Sequence, residues 1–307
     1  MRQKRVAGGS PLRLRLVLAW VRAILCGLLG LFSGMSSAFD AINTSTYFPA
    51  VVQGHHGVEA AACTNVPNPQ FSEVNQPKIN GTGGNKLAFC SISANQNNTK
   101  NCDDGQGGYK VCAITGQDIA GLSLTWNNAF PTNGSTTDLN CTNNGSAALS
   151  QKAYRTVTSS GCQLTMTAQP GYQIKSLTMS NGGTLTLGPG DHFFETLSLD
   201  STTIKLQSVD QALTRIFVKN TPTLRNNFSL NAGGKQNLIW VSYGDFAMQS
   251  GSFVGYLYAG GKVTLSNQAT LTGRITARAL EVRDNSVINK GDAVLPSPTC
   301  KDIFTDP

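Results

Sequence analysis

Five stretches between Leu177 and Ile288 repeat one pattern and leave the chain few ways to fold. They read LTMSNGGTLTL from Leu177, LSLDSTTIKL from Leu197, FAMQSGSFVGYL from Phe246, VTLSNQATLTG from Val263 and LEVRDNSVI from Leu280. Each alternates apolar and polar residues, passes through a short patch of Ser, Asn, Asp, Gln or Gly, and opens a second apolar run. Alternation with period two sends the apolar side chains to one side and the Thr, Ser and Lys between them to the other, so each run is a short strand with one buried face. The starts at Phe246, Val263 and Leu280 recur about every 17 residues, and Phe228 lies one similar step earlier. The longer step from Leu197 to Phe228 places an insertion around Ser208 to Leu213 or Thr221 to Asn227. No helical segment fits between the runs, and an all-strand repeat this short cannot hold a four-stranded propeller blade. The expected fold is all-β: a right-handed parallel β-helix, or solenoid, over residues 161–290, preceded by a disulfide-rich, loop-rich β segment over 39–160. Asn181 and Asn267 fall at the corners, where Asn and Gly tolerate left-handed backbone angles and stacked amides can bond from rung to rung.

The formal charge of +7 invites a nucleic-acid reading until it is located. Arg2, Lys4, Arg5, Arg13, Arg15 and Arg22 all precede residue 38, a stretch with no acid. Without those six, 18 basic residues face 17 acidic ones, so steering toward phosphate or anionic lipid is excluded as the main theme. The first 38 residues combine a basic start, an apolar core around Ile24 to Phe32 and small residues at Ser36 and Ala38, the make-up of a secretory signal cleaved after Ala38. The alternative is a retained membrane anchor, the one membrane contact expected. Residues 291–307, with Pro296 and Pro298, read as a linker or tail.

After such cleavage seven cysteines remain. Cys63, Cys90, Cys102, Cys112, Cys141 and Cys162 precede the repeat or stand at its edge, and in an exported chain they read as up to three disulfides stapling a segment with little core. Six cysteines allow 15 pairings, and spacing does not choose among them. Cys300 is left over, to cross back or to pair beyond Pro307. Cys162 to Thr167 (CQLTMT) begins the first rung or caps the coil, and LAFCSI, YKVCAI and LSLTW read as short strands among turn-rich loops.

A β-helix that acts on polysaccharide needs carboxylates or a base gathered on one face. The best group is Asp191, His192 and Glu195 in GPGDHFFE, followed by the scattered Asp200, Asp210, Asp245, Arg283 and Asp284. His192 and Phe194 face opposite to Asp191, Phe193 and Glu195, which favours one strand with an exposed polar end. His55 and His56 are neighbours and point apart on an extended chain, so a surface loop is favoured over a metal site. Asp103 and Asp104 in NCDDGQGG lack the alternating acids of a calcium loop. GTGGNK lacks the strand and helix flanks of a phosphate loop. Trp126, Trp240, Tyr243 and Tyr256 form either a sugar-binding strip or, the favoured reading, core. No catalytic residue, cofactor or metal ligand is assigned.

The strings SLTMSNGGTLTLGPGDHFFETLSL, TRIFVKN, SLNAGGKQNLIWVSYGD and YLYAGGKVTLSNQATLTGRITA, with the early YFPAVVQGHH, resemble in order and spacing the N-terminal part of MshQ-like proteins of MSHA-type IV pilus biogenesis systems. That resemblance implies an exported protein at the cell surface, outside the cell or in the periplasm, with pilus or cell-envelope proteins as partners and no catalytic residues to carry over. MshQ-like proteins continue into further β domains, so the chain is expected to be part of a longer reading frame, which would account for Cys300. The expected function is a non-catalytic structural or adhesive component; the alternative is a β-helix that binds or degrades polysaccharide, with a surface glycan as ligand. Nucleic acid is not an expected partner.

Overall fold

The computed structural model describes residues 42, 44–58, 63, 69–93, 99–131, 138–169, 171–207, 213–232, 234 and 238–291. The expected signal segment, residues 208–212, the 291–307 tail beyond Gly291 and Cys300 therefore lie outside the described residues. Within them a four-residue helix, α1 (Thr44–Tyr47), is followed by short strands: β1 (Val52–Gly54), β2 (Gln70–Val74), β3 (Lys78–Ile79), β4 (Ser91–Ile92), β5 (Lys100–Asp103) and β6 (Tyr109–Val111). After an extended stretch come β7 (Asp138–Cys141), β8 (Ser146–Ala148), β9 (Ala153–Ser160), β10 (Gln163–Met166), β11 (Gly171–Ser180), β12 (Thr184–Leu187), β13 (Gly190–Asp200) and β14 (Thr203–Leu206). The remaining strands are β15 (Thr214–Val218), β16 (Thr223–Arg225), β17 (Ser229–Leu230), β18 (Leu238–Ser242), β19 (Phe246–Gln249), β20 (Ser252–Ser266), β21 (Thr270–Arg283) and β22 (Val287–Lys290).

The strands stack as a β-solenoid with three faces. Face A runs β8, β10, β12, β14, β17, the start of β20, the start of β21, β22 and β3. Face B runs through the first halves of β11 and β13, then β15, β18, the middles of β20 and β21, and β1. Face C runs β7, β9, the second halves of β11 and β13, β16, β19, the ends of β20 and β21, then β2 and β4. Apart from the β5–β6 pair these ladders are parallel. The repeat reads directly as register: Leu177 pairs with Leu197, Phe246 with Val263, and Val263 with Leu280. Phe228 stands elsewhere. Thr223 pairs with Ala247, which puts Pro222 beside Phe246, while the Phe228 carbonyl accepts from Ser252 at a later corner. Alternation recurs on each face of one turn, so a start on face A resembles a start on face C.

The inward residues form one continuous core along the axis, with Leu177, Leu199, Leu230, Trp240, Phe253, Leu271 and Val282 among those fully buried. Corners are made by left-handed residues: Asn181, Ser201, Asn226, Ser250, Asn267 and Asp284 all have φ between 53° and 61°. Three of them bond through their side chains to the neighbouring rung: Asn181 donates to Ser160 at 2.8 Å, Asn226 donates to Asp200 at 2.8 Å, and Asp284 accepts from Asn75 at 2.7 Å. At these corners the partner is Ser, Asp or Asn75, while Asn80 donates to Asn289 of the adjoining rung at 2.8 Å, an Asn-to-Asn bond of the kind expected. β20 and β21 instead turn from face A to face B without a loop, at the paired glycines Gly255 (φ 151°) and Gly273 (φ 149°). A Cβ on Gly273 would stand 1.7 Å from the Gly255 carbonyl oxygen, so no other residue fits that bend.

The spatial order of the rungs differs from the chain order. β1, β2 and β3 stack on β21 and β22, so the N-terminal residues extend the solenoid beyond its C-terminal strands. The coil also begins with β7 and β8, earlier than the position 161 read from the alternation alone. Among the described residues three disulfides, Cys63–Cys90, Cys102–Cys112 and Cys141–Cys162, all lie in the outer rungs.

Candidate functional site

Between the two ends of the coil the chain crosses the outside of face B. Residues 119–130 (IAGLSLTWNNAF) form an extended strap with Leu122, Leu124, Trp126, Asn128 and Phe130 turned toward the sheet and Ser123, Thr125, Asn127 and Ala129 exposed. The LSLTW run therefore has the alternation of a strand but joins no ladder. At one end Ile119 bridges to His55; further along, the Leu122 amide donates to the Tyr258 hydroxyl (2.7 Å), the Tyr243 hydroxyl donates to the Thr125 carbonyl (3.4 Å), and Gln173 reaches Asn128 (3.5 Å). Trp126 packs edge-on against Tyr243 and Phe193, and Phe193 stacks on Phe217. These contacts bury face B on both sides, which is why β18 (LIWVS) carries an apolar run instead of alternation. Trp126 and Tyr243 thus belong to the strap interface, and Trp240 and Tyr256 to buried positions, so the four aromatics form no exposed strip.

His55 is buried and His56 partly so, contrary to the surface loop expected from their sequence context. His55 lies under the strap, stacked on Tyr258 at 4.8 Å, with Nε2 donating to the Ala259 carbonyl (2.7 Å) and Nδ1 accepting from the Gly57 amide (3.1 Å). Desolvation pushes its imidazole down to about 4. His56 points the other way, as extended geometry requires, and its Nδ1 meets the Asp118 carboxylate at 2.7 Å. Gly121 crosses this cluster: a Cβ there would sit 2.5 Å from the Tyr258 hydroxyl and 2.7 Å from His55 Nδ1.

The pleat separates the candidate group in GPGDHFFE. His192 is fully buried in the core, stacked on Tyr172, with Nε2 bonded to the Gly188 carbonyl at 2.8 Å; burial lowers its pKa. Asp191 faces outward and is gripped by Arg215 of the next rung, and Glu195 by Lys219 at 2.6 Å. The polar end of this strand is thus a pair of inter-rung ion pairs, and its histidine belongs to the core. Asp200 accepts from Asn226 and Ser201, and both hold its carboxyl below the ordinary range. Asp245 accepts from the Lys262 amide, and Asp284 from Asn75 and Arg283. Asp210 lies outside the described residues. Asp103 and Asp104 spend their oxygens on turn amides, those of Gly81, Gly83, Gly105, Gln106 and Gly108. Cys63, Cys90 and Asp118 lie close together, but the two sulfurs are joined to each other and present no thiolate.

Among the described residues no strap crosses faces A and C, and both display hydroxyls in register. On face A, Thr184, Thr203, Ser229, Ser252 and Thr270 stand side by side on five successive rungs, with Gln163 and Val287 continuing the column. On face C, Thr158, Thr178, Ser198 and Thr223 form a second column, extended past Ala247 by Thr264. Adjacent rungs of such a ladder are about 4.8 Å apart. The result is a fixed lattice of groups that both donate and accept hydrogen bonds and carry no charge. The repeat implied such polar outward positions; their alignment across rungs required the register.

No protein-family model matches the chain, and no curated protein matches it. Among solved structures it is similar to a Shewanella frigidimarina ice-binding protein DUF3494 domain, at 13% sequence identity and a TM-score of 0.40, covering 84% of this chain and 100% of that one.

Proposed function

We propose that the chain is an exported, non-catalytic structural or adhesive component of the cell surface, associated with an MSHA-type pilus system, and that face A is its contact surface. The observation that carries this reading is the aligned Ser and Thr column on a face that no other part of the described chain covers. Rigid hydroxyls at rung spacing suit a surface that itself repeats hydroxyls, such as a polysaccharide, and contact requires little stripping of water from ions. The disulfides fit an oxidising compartment outside the cytosol. The test pairs a deletion strain with a complementing Thr184→Lys/Thr270→Lys variant, which places charge on the column without touching the core. Deletion is expected to reduce attachment or pilus yield, and the variant to restore pilus yield but not attachment. Unchanged attachment, twitching and pilus yield on deletion would sink the proposal.

A second reading rests on the regularity of the same hydroxyl lattice, which would also order water into a sheet. Contact with ice would appear as thermal hysteresis or slowed recrystallisation that the same double variant abolishes.

A further inference from the structure

Where the N-terminal rungs stack on β21 and β22, a pocket of about 240 Å³ opens between Pro49–Val52 and the loop 81–87. Lys86, Arg274 and Lys290 all line it, and no carboxylate does. Arg274 is anchored, donating through one terminal nitrogen to the Phe48 carbonyl, while its Nε is buried without a hydrogen-bond partner. Lys86 and Lys290 are exposed and make no ion pair among the described residues. Asp103 is outside the lining and already accepts from the amides of Gly81, Gly83 and Gly105. Three like charges around one small space repel one another, an arrangement an anion relieves. GTGGNK, which lacks the flanks of a phosphate loop, here supplies the rim of this pocket.

We propose that the pocket binds an acidic sugar unit through its carboxylate or sulfate group. The cations engage the anionic group, with Arg274 able to offer a fork to two of its oxygens. Pro49 supplies an apolar wall for the C–H face of a ring, and Asn85, whose amide nitrogen is used on the Thr82 carbonyl (2.9 Å), keeps its side-chain oxygen for a sugar hydroxyl. The volume suits one ring, so a polymer would be held by a terminal or branching residue. This site shares no residue with the face A column and stands or falls apart from it.

Calorimetric titration of the full chain at low salt with glucuronate, glucose 6-sulfate, glucose and inorganic sulfate tests the proposal. At least one acidic sugar is expected to bind roughly tenfold or more tightly than glucose or sulfate alone, and to weaken as salt rises. Preference for glucuronate or for the sulfate ester identifies the anionic group. Lys86→Gln/Lys290→Gln is expected to lose at least tenfold in affinity with no fall in melting temperature, since neither side chain makes a hydrogen bond or ion pair among the described residues; Arg274→Gln adds a second test at the anchored cation. Equal binding of glucose, binding by inorganic sulfate as tight as by either acidic sugar, no measurable heat, or full affinity in the double lysine variant would each overturn it.

Discussion

At the scale of single residues, burial decides the chemistry more than identity does. His55 stays neutral because the strap and Tyr258 shut out water, and its Nε2 and Nδ1 are both satisfied as donor and acceptor. The unfolded chain takes up a proton near the ordinary value of 6.5, which the folded chain refuses until about 4. The unfolded state therefore binds more protons across that window, and stability falls as pH drops through it, by roughly 3 kcal/mol from this residue. His192 acts in the same direction, while Glu73, whose carboxyl burial pushes up, gains relative stability on acidification. Urea unfolding at pH 7 and pH 4.5 is expected to show a clear loss for the parent and a smaller loss for His55→Gln, in which the amide keeps a donor for Ala259. Equal losses in the two proteins would show that His55 is not the sensor.

At the scale of elements, the strap gives face B its second layer. Trp126 touches Phe130, Phe193 and Tyr243, so Trp126→Ala should cost roughly 2–4 kcal/mol and expose Phe193 and Phe217 to a hydrophobic dye, with far-ultraviolet circular dichroism unchanged. A stable, non-staining variant would mean that the strap merely connects. This element also marks how far the sequence can be read. Alternation in LTMS, FAMQ and VTLS locates strands and register because each has one buried face. LSLTW alternates just as well, but its partner is the outside of a sheet formed by residues far along the chain, so periodicity says that it is half-buried and not against what. The same holds for His55 and His56, whose burial depends on Tyr258, Asp118 and Gly121, and for the hydroxyl columns, whose members were visible as polar outward positions although their alignment was not. Phe228 was misplaced because one turn contains three apolar runs of similar look.

At the scale of the molecule, the chain is a solenoid whose first rungs in sequence are its last in space. Joining Gly291 to Thr44 by a short linker and opening the chain before Asp138 would make every stacked rung follow its neighbour in sequence. Such a permutant is expected to keep the fold and to refold faster, since pairs such as Val52 with Ile275 become local. Refolding no faster than the parent would show that this long-range docking does not limit the rate. The discontinuity also governs assembly during synthesis. Phe71, Ile79 and Phe89 emerge early, yet the ledge that β2 and β3 rest on is completed only when β22 has been made. A chain halted before β21 would therefore carry β1 and β2 with sticky apolar surface and no seat, and one halted before β22 would leave β3 without its ladder, both fit for a protease to find. Folding of the first-made rungs thus certifies that β21 and β22 have been made.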